Sequence, residues 1–339
     1  MFNKSTVLII GAGASAEFNM PLGAELIKRV AEAVTATRWE DEPEKGSLFD
    51  QMEACLGSDC AVRLYQLGRE LAHVAEGSKL PSMDEVLHFL SDQDVVKLGK
   101  LAIAYEIMKA ERECYLSLAM SVGDKTFVKM INETWASEFL GLALSGSQRP
   151  NLSKLSANVT VIDFNYDRVL PQYLYWALQH NLGASQDAAA ECVKNLKILH
   201  PYGSLGKLEW EAGKDVLPFG SRTGNLCEIA SRIRTYTEES ESPERVQIQD
   251  AIHGARVVIV VGFGYHKQNM QIITGPGETR NKLVFMTALG IPNDLNHQPI
   301  KDEMLRAIRC FHEAHPTLVV NSGQGMFRDL RPALSLAVS

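Results

Sequence analysis

The 339-residue chain has no apolar run approaching the roughly 20 residues that cross a bilayer as a helix, so no membrane partner is expected. It has no C-x-x-C pair. Its six cysteines, Cys55, Cys60, Cys114, Cys192, Cys227 and Cys310, are scattered, which speaks against a disulfide framework or a four-cysteine metal site. Reduced thiols in a cytoplasmic protein are the expectation; Cys55 with Cys60 is the one pairing near enough in sequence for a bridge or half a metal site. Positive charge is not in surplus. The formal charge is −7, and a dedicated nucleic-acid binder would show a basic face. No internal repeat or low-complexity tract occurs. The opening "MFNKSTVLIIGAGAS" has too short an apolar part and too much glycine for a signal peptide, and reads as a first strand.

What is present is an ordinary globular composition, 45% apolar and 22% charged. A chain of this size buries about three quarters of its unfolded surface, so no staple is needed. Five apolar, β-branched runs, 5–10, 158–164, 196–200, 255–263 and 282–288, predict strands covered on both faces, with 317–321 as a sixth. Helical spacing at 23–35 and 170–180 lies between them, which implies right-handed crossovers. The expected fold class is α/β, a Rossmann-like doubly wound, mostly parallel sheet with a large all-helical insertion. Residues 1–36 and 156–339 form the sheet domain. Residues 37–155 form the insertion, a lid or an oligomerisation surface, because 62–77, 83–92 and 95–120 carry three-and-four apolar spacing. Ser82 and Glu85 of "SMDE" make a capping box. Residues 212–250 are polar and turn-rich, and read as a loop or a gate.

"VLIIGAGASAEFNMPLG" joins the first strand to the first helix, and Gly11-x-Gly13-x-x-Ala16 matches the dinucleotide fingerprint in its G/A form. Gly11 permits the turn, Gly13 a close backbone approach, and Ala16 tight helix–strand packing; Ser15 can donate to phosphate. Gly11, Ala12, Gly13, Ser15 and Pro21 are therefore the candidate cofactor-binding residues of this loop. A ligand-free glycine turn is the other reading. The acidic residue that a dehydrogenase places about 20 residues on is missing, since 30–40 reads "VAEAVTATRWE". Hydride transfer is disfavoured accordingly.

The second and third strands end in "FNYD" and "HPYGS". Ligands of open parallel sheets sit beyond the carboxyl ends of the strands, so Asn165, Asp167 and His200 are the candidate catalytic residues. Histidine suits proton transfer near neutrality, and an amide holds a hydroxyl or a water. Against this, Asn165 and Asp167 equally suit an Asx turn capping the next helix, and His200 a packing role.

Taken in order, "GAGASAEFNMPLG", "FNYD", "HPYGS" and "VVGFGYHKQN", with "PSMDEVLHFL", resemble the sirtuin-like family. They are most similar to its branch of NAD-consuming domains in bacterial anti-phage defence systems. The resemblance implies that the glycine loop binds the NAD pyrophosphate and that Asn165 and Asp167 match its N-x-D motif. His200, Gly203 and Ser204 match its histidine motif, with His200 as base. Gly262 and Gly264 match the later strand end that approaches the adenosine side. Between these motifs only Cys227 remains of the four-cysteine zinc module of classical deacylases, so no metal is expected. Pro21-Leu22-Gly23-Ala24 replaces their Pro-Asp-Phe-Arg, and Asn19 stands where many relatives have glycine. These departures favour plain hydrolysis: an NAD+ glycohydrolase releasing nicotinamide and ADP-ribose, with NAD+ as substrate. The resemblance further implies a homo-oligomer gated by assembly or by a companion protein such as an ATPase. The alternative is a non-catalytic nucleotide sensor or scaffold subunit.

Overall fold

Short runs dense in valine and isoleucine favour the pleated, doubly covered environment of a central parallel strand. Eight strands form: β1 (Thr6–Ile10), β2 (Val159–Asp163), β3 (Lys197–Leu199), β4 (Val257–Val261), β5 (Thr279–Arg280), β6 (Leu283–Thr287), β7 (Cys310–His312) and β8 (His315–Val319). The structure, a computed structural model, describes residues 2–36, 46–145, 156–240, 242–290, 298–312 and 315–339. Six strands make one all-parallel sheet in the order β3-β2-β1-β4-β6-β8. Counted within that sheet, the order is 3-2-1-4-5-6, that of a Rossmann fold. The expected fold class is the one observed. The strand order reverses between β1 and β4, and every residue of those two parallel strands is buried.

Two strand expectations change. The last sheet strand begins at 315, not 317, and includes Pro316 opposite Val284; β8 is an edge strand, where a residue without an N–H is tolerated. The two-residue β5 pairs with β7 outside the main sheet, too short to show in a hydrophobic pattern.

Between β1 and β2 the described chain is helical, from Leu48–Leu56 to Trp135–Leu144. The edges of the expected 37–155 insertion, 37–45 and 146–155, lie outside the described residues. Two long expected helices are broken by tertiary contacts. The 62–77 stretch divides at Leu67, because Gly68 presses on helix Gly23–Thr35, where an added Cβ would stand 2.3 Å from the Val34 carbonyl oxygen. The 95–120 stretch divides at Cys114, which is extended while the next amide, of Tyr115, donates to the Phe18 carbonyl at 2.9 Å. Ser82 accepts from the Glu85 amide, as the capping box predicts. The buried apolar side chains of the sheet and of these helices form one continuous cluster.

Residues 212–250 are more ordered than their polarity suggests. They contain helices Leu226–Ala230 and Tyr236–Ser240 and most of Pro243–Gly254, the last begun by Ser242 as N-cap and a proline in the first turn. Lys100 reaches across to Glu238 at 2.6 Å. The expectation of six reduced thiols is also corrected. Cys55 is bonded to Cys227 across 172 residues, and not to Cys60, joining helix Leu48–Leu56 to helix Leu226–Ala230. Only the crossover path brings these two cysteines together.

Two charged groups secure helix ends. The Lys282 ammonium, 1% exposed, donates to the carbonyls of Ile252, His253 and Ala255 at the end of helix Pro243–Gly254. The Glu17 carboxylate accepts the amide of Trp135 at 2.7 Å and that of Gln324 at 2.9 Å, so it caps helices Trp135–Leu144 and Gly323–Asp329 together. Burial pushes its pKa up, against the pull of those amides. Glu17→Ala is expected to lower the unfolding free energy by about 2 kcal/mol in a urea titration.

Candidate active site

The carboxyl ends of β1 and β4 meet through backbone. The amide of Gly11 donates to the Val261 carbonyl at 3.1 Å, and that of Gly13 to Gly262 at 2.9 Å. A Cβ on Gly11 would lie 2.8 Å from the Gly262 oxygen, and one on Gly13 2.8 Å from the Gly262 Cα. Gly262 has φ +58°, and its own Cβ would meet the Ala14 nitrogen at 2.1 Å. The glycines are thus already required by packing. The pyrophosphate role given to the amides of Gly11 and Gly13 competes with bonds they make to β4. Ala12 opens a one-turn helix, Ala12–Ala16, and Asn19 is left-handed (φ 69°), as a glycine-like position demands. The buried Pro21 follows in the connection to helix Gly23–Thr35.

Asn165 is brought to this loop directly. Its side-chain amide donates to the Gly11 carbonyl and to Ser15 Oγ, each at 3.1 Å. Ser15 in turn hydrogen-bonds Asp167, so Ser15 joins the two residues in place of waiting for a phosphate. Asp167 also accepts from the Val169 amide at 3.0 Å, an Asx turn that starts helix Val169–His180. The Asx-turn reading holds for Asp167. Asn165, whose own backbone amide goes to Asp163 at 2.9 Å, does something longer-ranged.

His200 follows β3, with Nδ1 4.0 Å from Asp163 Oδ2. That ring nitrogen is buried and has no hydrogen-bond partner among the described residues. Burial pulls the imidazole down to about 4, outweighing the Glu244 carboxylate and the Asn165 carbonyl, which favour its charged form. It is neutral at pH 7. Burial raises the Asp163 carboxyl well above its usual range, with the nearby Asp167 charge adding to the effect, and pushes Asp167 up to about 6. Gly203 (φ +74°) closes the turn after His200, where a Cβ would strike the Arg232 carbonyl oxygen at 1.9 Å. Ser204 and His200 both line a cavity of about 410 Å³ beside β3, together with Lys207, Trp210 and Arg232. Gly264 lies against the His266 ring, at the end of β4 rather than beside His200. Among the described residues no group of three or more His, Cys, Asp or Glu is arranged to hold a metal.

Four participants escape the sequence reading. Asp163 stands two residues before Asn165 and four before Asp167, an alternation that puts polar groups on one side of an extended chain and was a usable signal. Asp84, from helix Met83–Leu90, accepts from the Tyr166 hydroxyl at 2.5 Å and is pushed up to about 6 by burial. Arg168 is 2% exposed and Glu111 fully buried; their ion pair, with Nε to Oε1 at 3.0 Å, is joined by the Arg168 amide at 2.9 Å. The pair had no sequence signal, since Glu111 lies in helix Gln93–Glu113, 57 residues before Arg168. Around them Phe164 packs edge-on against Phe263 with centroids 4.9 Å apart, and Tyr202 donates to Asn269 at 2.7 Å.

Glu111→Ala would leave a buried guanidinium without its counter-charge, at an expected cost of about 3–5 kcal/mol in denaturant unfolding. The Asp84 carboxyl has a folded pKa above its unfolded one. Its protonation therefore stabilises the fold below about pH 4, and that contribution is lost as pH rises through about 6. Asp84→Asn is expected to reduce the drop in stability between pH 4 and pH 7 by about 3 kcal/mol, read from unfolding curves at the two pH values.

No protein-family model matches this chain, and comparison with curated proteins returns no match.

Proposed function

We propose that the chain is an NAD+ glycohydrolase of the sirtuin-like kind found in bacterial anti-phage defence. The observation that carries this reading is the convergence at the switch point. Asn165 bonds the glycine loop itself, and a neutral histidine with an unpartnered nitrogen stands beside the same strand end. Such an end of a 3-2-1-4-5-6 sheet is where dinucleotides are held.

The chemistry asks little of the protein. Nicotinamide leaves NAD+ as a neutral base, so its departure needs no acid. Water supplies the hydroxyl of ADP-ribose and gives up a proton. A neutral imidazole can take that proton, and His200 is held in that form by burial. Asp167, pushed up only to about 6, keeps its charge near neutrality and adds negative potential where the sugar gains positive character, in a site too dry for bulk water to screen it. Asn165 and Ser15 fix the loop against the turn that follows β2, between Asp163 and Asp167.

An unrestrained hydrolase would drain the cell of NAD+. The reading therefore includes control by self-assembly or by a companion such as an ATPase, with the helical segment and residues 212–250 as the gating parts. Cytoplasmic residence belongs to the same reading; the Cys55–Cys227 bond is one that such a compartment opposes. The second reading is a nucleotide sensor or scaffold without turnover, and one specific fact favours its scaffold form. The side-chain N–H groups of Asn165 and the amides of Gly11 and Gly13 are engaged within the protein.

Purified protein incubated with NAD+ and resolved by chromatography is expected to yield nicotinamide and ADP-ribose. Asn165→Ala and His200→Ala should each slow this by about 10²–10⁴-fold. NAD+ binding by calorimetry without products, alone and with the products of neighbouring genes, would establish the sensor reading instead.

A further inference from the structure

The backbone of His200 is gripped from both sides by one ion pair. Its amide donates to Glu244 Oε1 at 2.8 Å, while its carbonyl accepts from Arg234 Nη2. Arg234 Nη2 also pairs with Glu244 Oε2, closing a ring of three residues. A strand end needs no such device, since water satisfies free backbone groups at a sheet edge. Here two opposite charges, both more than 70% removed from solvent, are devoted to a single residue.

Each member of the pair is itself secured. Arg234 donates its backbone amide to the Tyr202 carbonyl at 2.9 Å and Nη1 to Ser242 Oγ at 2.9 Å. Glu244 sits in the first turn of helix Pro243–Gly254, its amide bonded to Ser242 Oγ at 3.2 Å. Two residues before Arg234, the Arg232 carbonyl fills the space that a side chain at Gly203 would need, so the whole turn 200–204 docks on this segment. The ring of His200 is held less firmly than its backbone: Nδ1 has no partner among the described residues, the Asp163 carboxylate is 4.0 Å away, and the Asn165 carbonyl bears on the ring.

We infer that Arg234 and Glu244 are positioning residues for His200, holding its imidazole in place through the main chain. The guanidinium serves three acceptors at once, Nη2 donating to the His200 carbonyl and to Glu244 Oε2 while Nη1 reaches Ser242 Oγ, which fixes its plane. The consequence for turnover rests on the hydrolase reading, whereas the consequence for the ring does not.

The test substitutes Arg234→Ala and Glu244→Ala, with Arg234→Lys and Glu244→Gln as milder partners that keep one contact each. NAD+ hydrolysis and the pH titration of the His200 ring C–H signals in proton NMR are both recorded. The charged groups that bear on that titration are Asp163 from β2 and Arg234 and Glu244 from the docked segment. The alanine variants should lower kcat by about 100-fold with KM for NAD+ nearly unchanged. Their ring titration should move from about 4 toward the free-histidine value near 6.5, as the ring gains access to water. Glu244→Ala is the deciding variant, because loss of that carboxylate alone would lower the value, whereas loss of the Arg234 charge alone would raise it. The milder variants should fall between. A ring that titrates as in the unsubstituted protein in all four folded variants overturns the inference. Inert unsubstituted protein with a displaced ring titration upholds the clamp and removes the hydrolase reading alone.

Discussion

The backbone contact between the β1 and β4 ends governs what surrounds it. In an open parallel sheet the strands on either side of a switch point lead their loops apart. Here the loops are drawn together because Gly11, Gly13 and Gly262 present no side chains to one another. That closure presents the Gly11 carbonyl to Asn165 and leaves Ser15 within reach of both Asn165 and Asp167. It also sets the one-turn helix that ends at Glu17, whose carboxylate starts two further helices. Trp135 completes the connection by donating its indole N–H to the Ala14 carbonyl at 2.9 Å. A methyl group at any of the three glycines would force this assembly apart at its centre.

Around that closure the fold keeps formal charge low. A buried carboxylate or imidazole is tolerated by giving up its charge or by being paired. His200 and Asp163 follow the first course, whereas Asp167 and Asp84, pushed up to about 6, lose their charge only in acid. Arg168 and Glu111 follow the second, one residue beyond Asp167. The helices between β1 and β2 are therefore more than a cover. They supply Asp84 to Tyr166, Glu111 to Arg168 and the amide of Trp135 to Glu17, three polar contacts that register them against the strand ends. The buried ion pair is costly to assemble and far more costly to halve, which makes it a device of register more than of net stability.

Much of the architecture was legible in advance. The strands of the central sheet are runs whose apolarity has a single structural solution, and their order along the chain with intervening helices implies parallel pairing. The positions of the candidate residues were legible: Asn165 and Asp167 follow the end of β2 and His200 the end of β3, two parallel strands. Less legible was what each atom touches. Ser15 read as a phosphate donor and serves as a bridge, and "IRTYTEESESPER" read as a polar loop and carries the grip on His200. Helix breaks at Leu67 and Cys114 escaped the apolar spacing, because that spacing continues across them and the interruption comes from Val34 and Phe18.

By itself the sequence determined the elements and the class of fold, since strand preference, helix caps and glycine conformations are properties of a few adjacent residues. It determined, too, that amide, carboxylate and imidazole would emerge at strand ends. Only the tertiary structure decided their partners: Glu244 is 44 residues from His200, Asn165 is 154 from Gly11, and Cys55 is 172 from Cys227. It also decided their charge, because the shifts of His200, Asp163 and Asp84 arise from burial, and burial exists only once distant segments have packed.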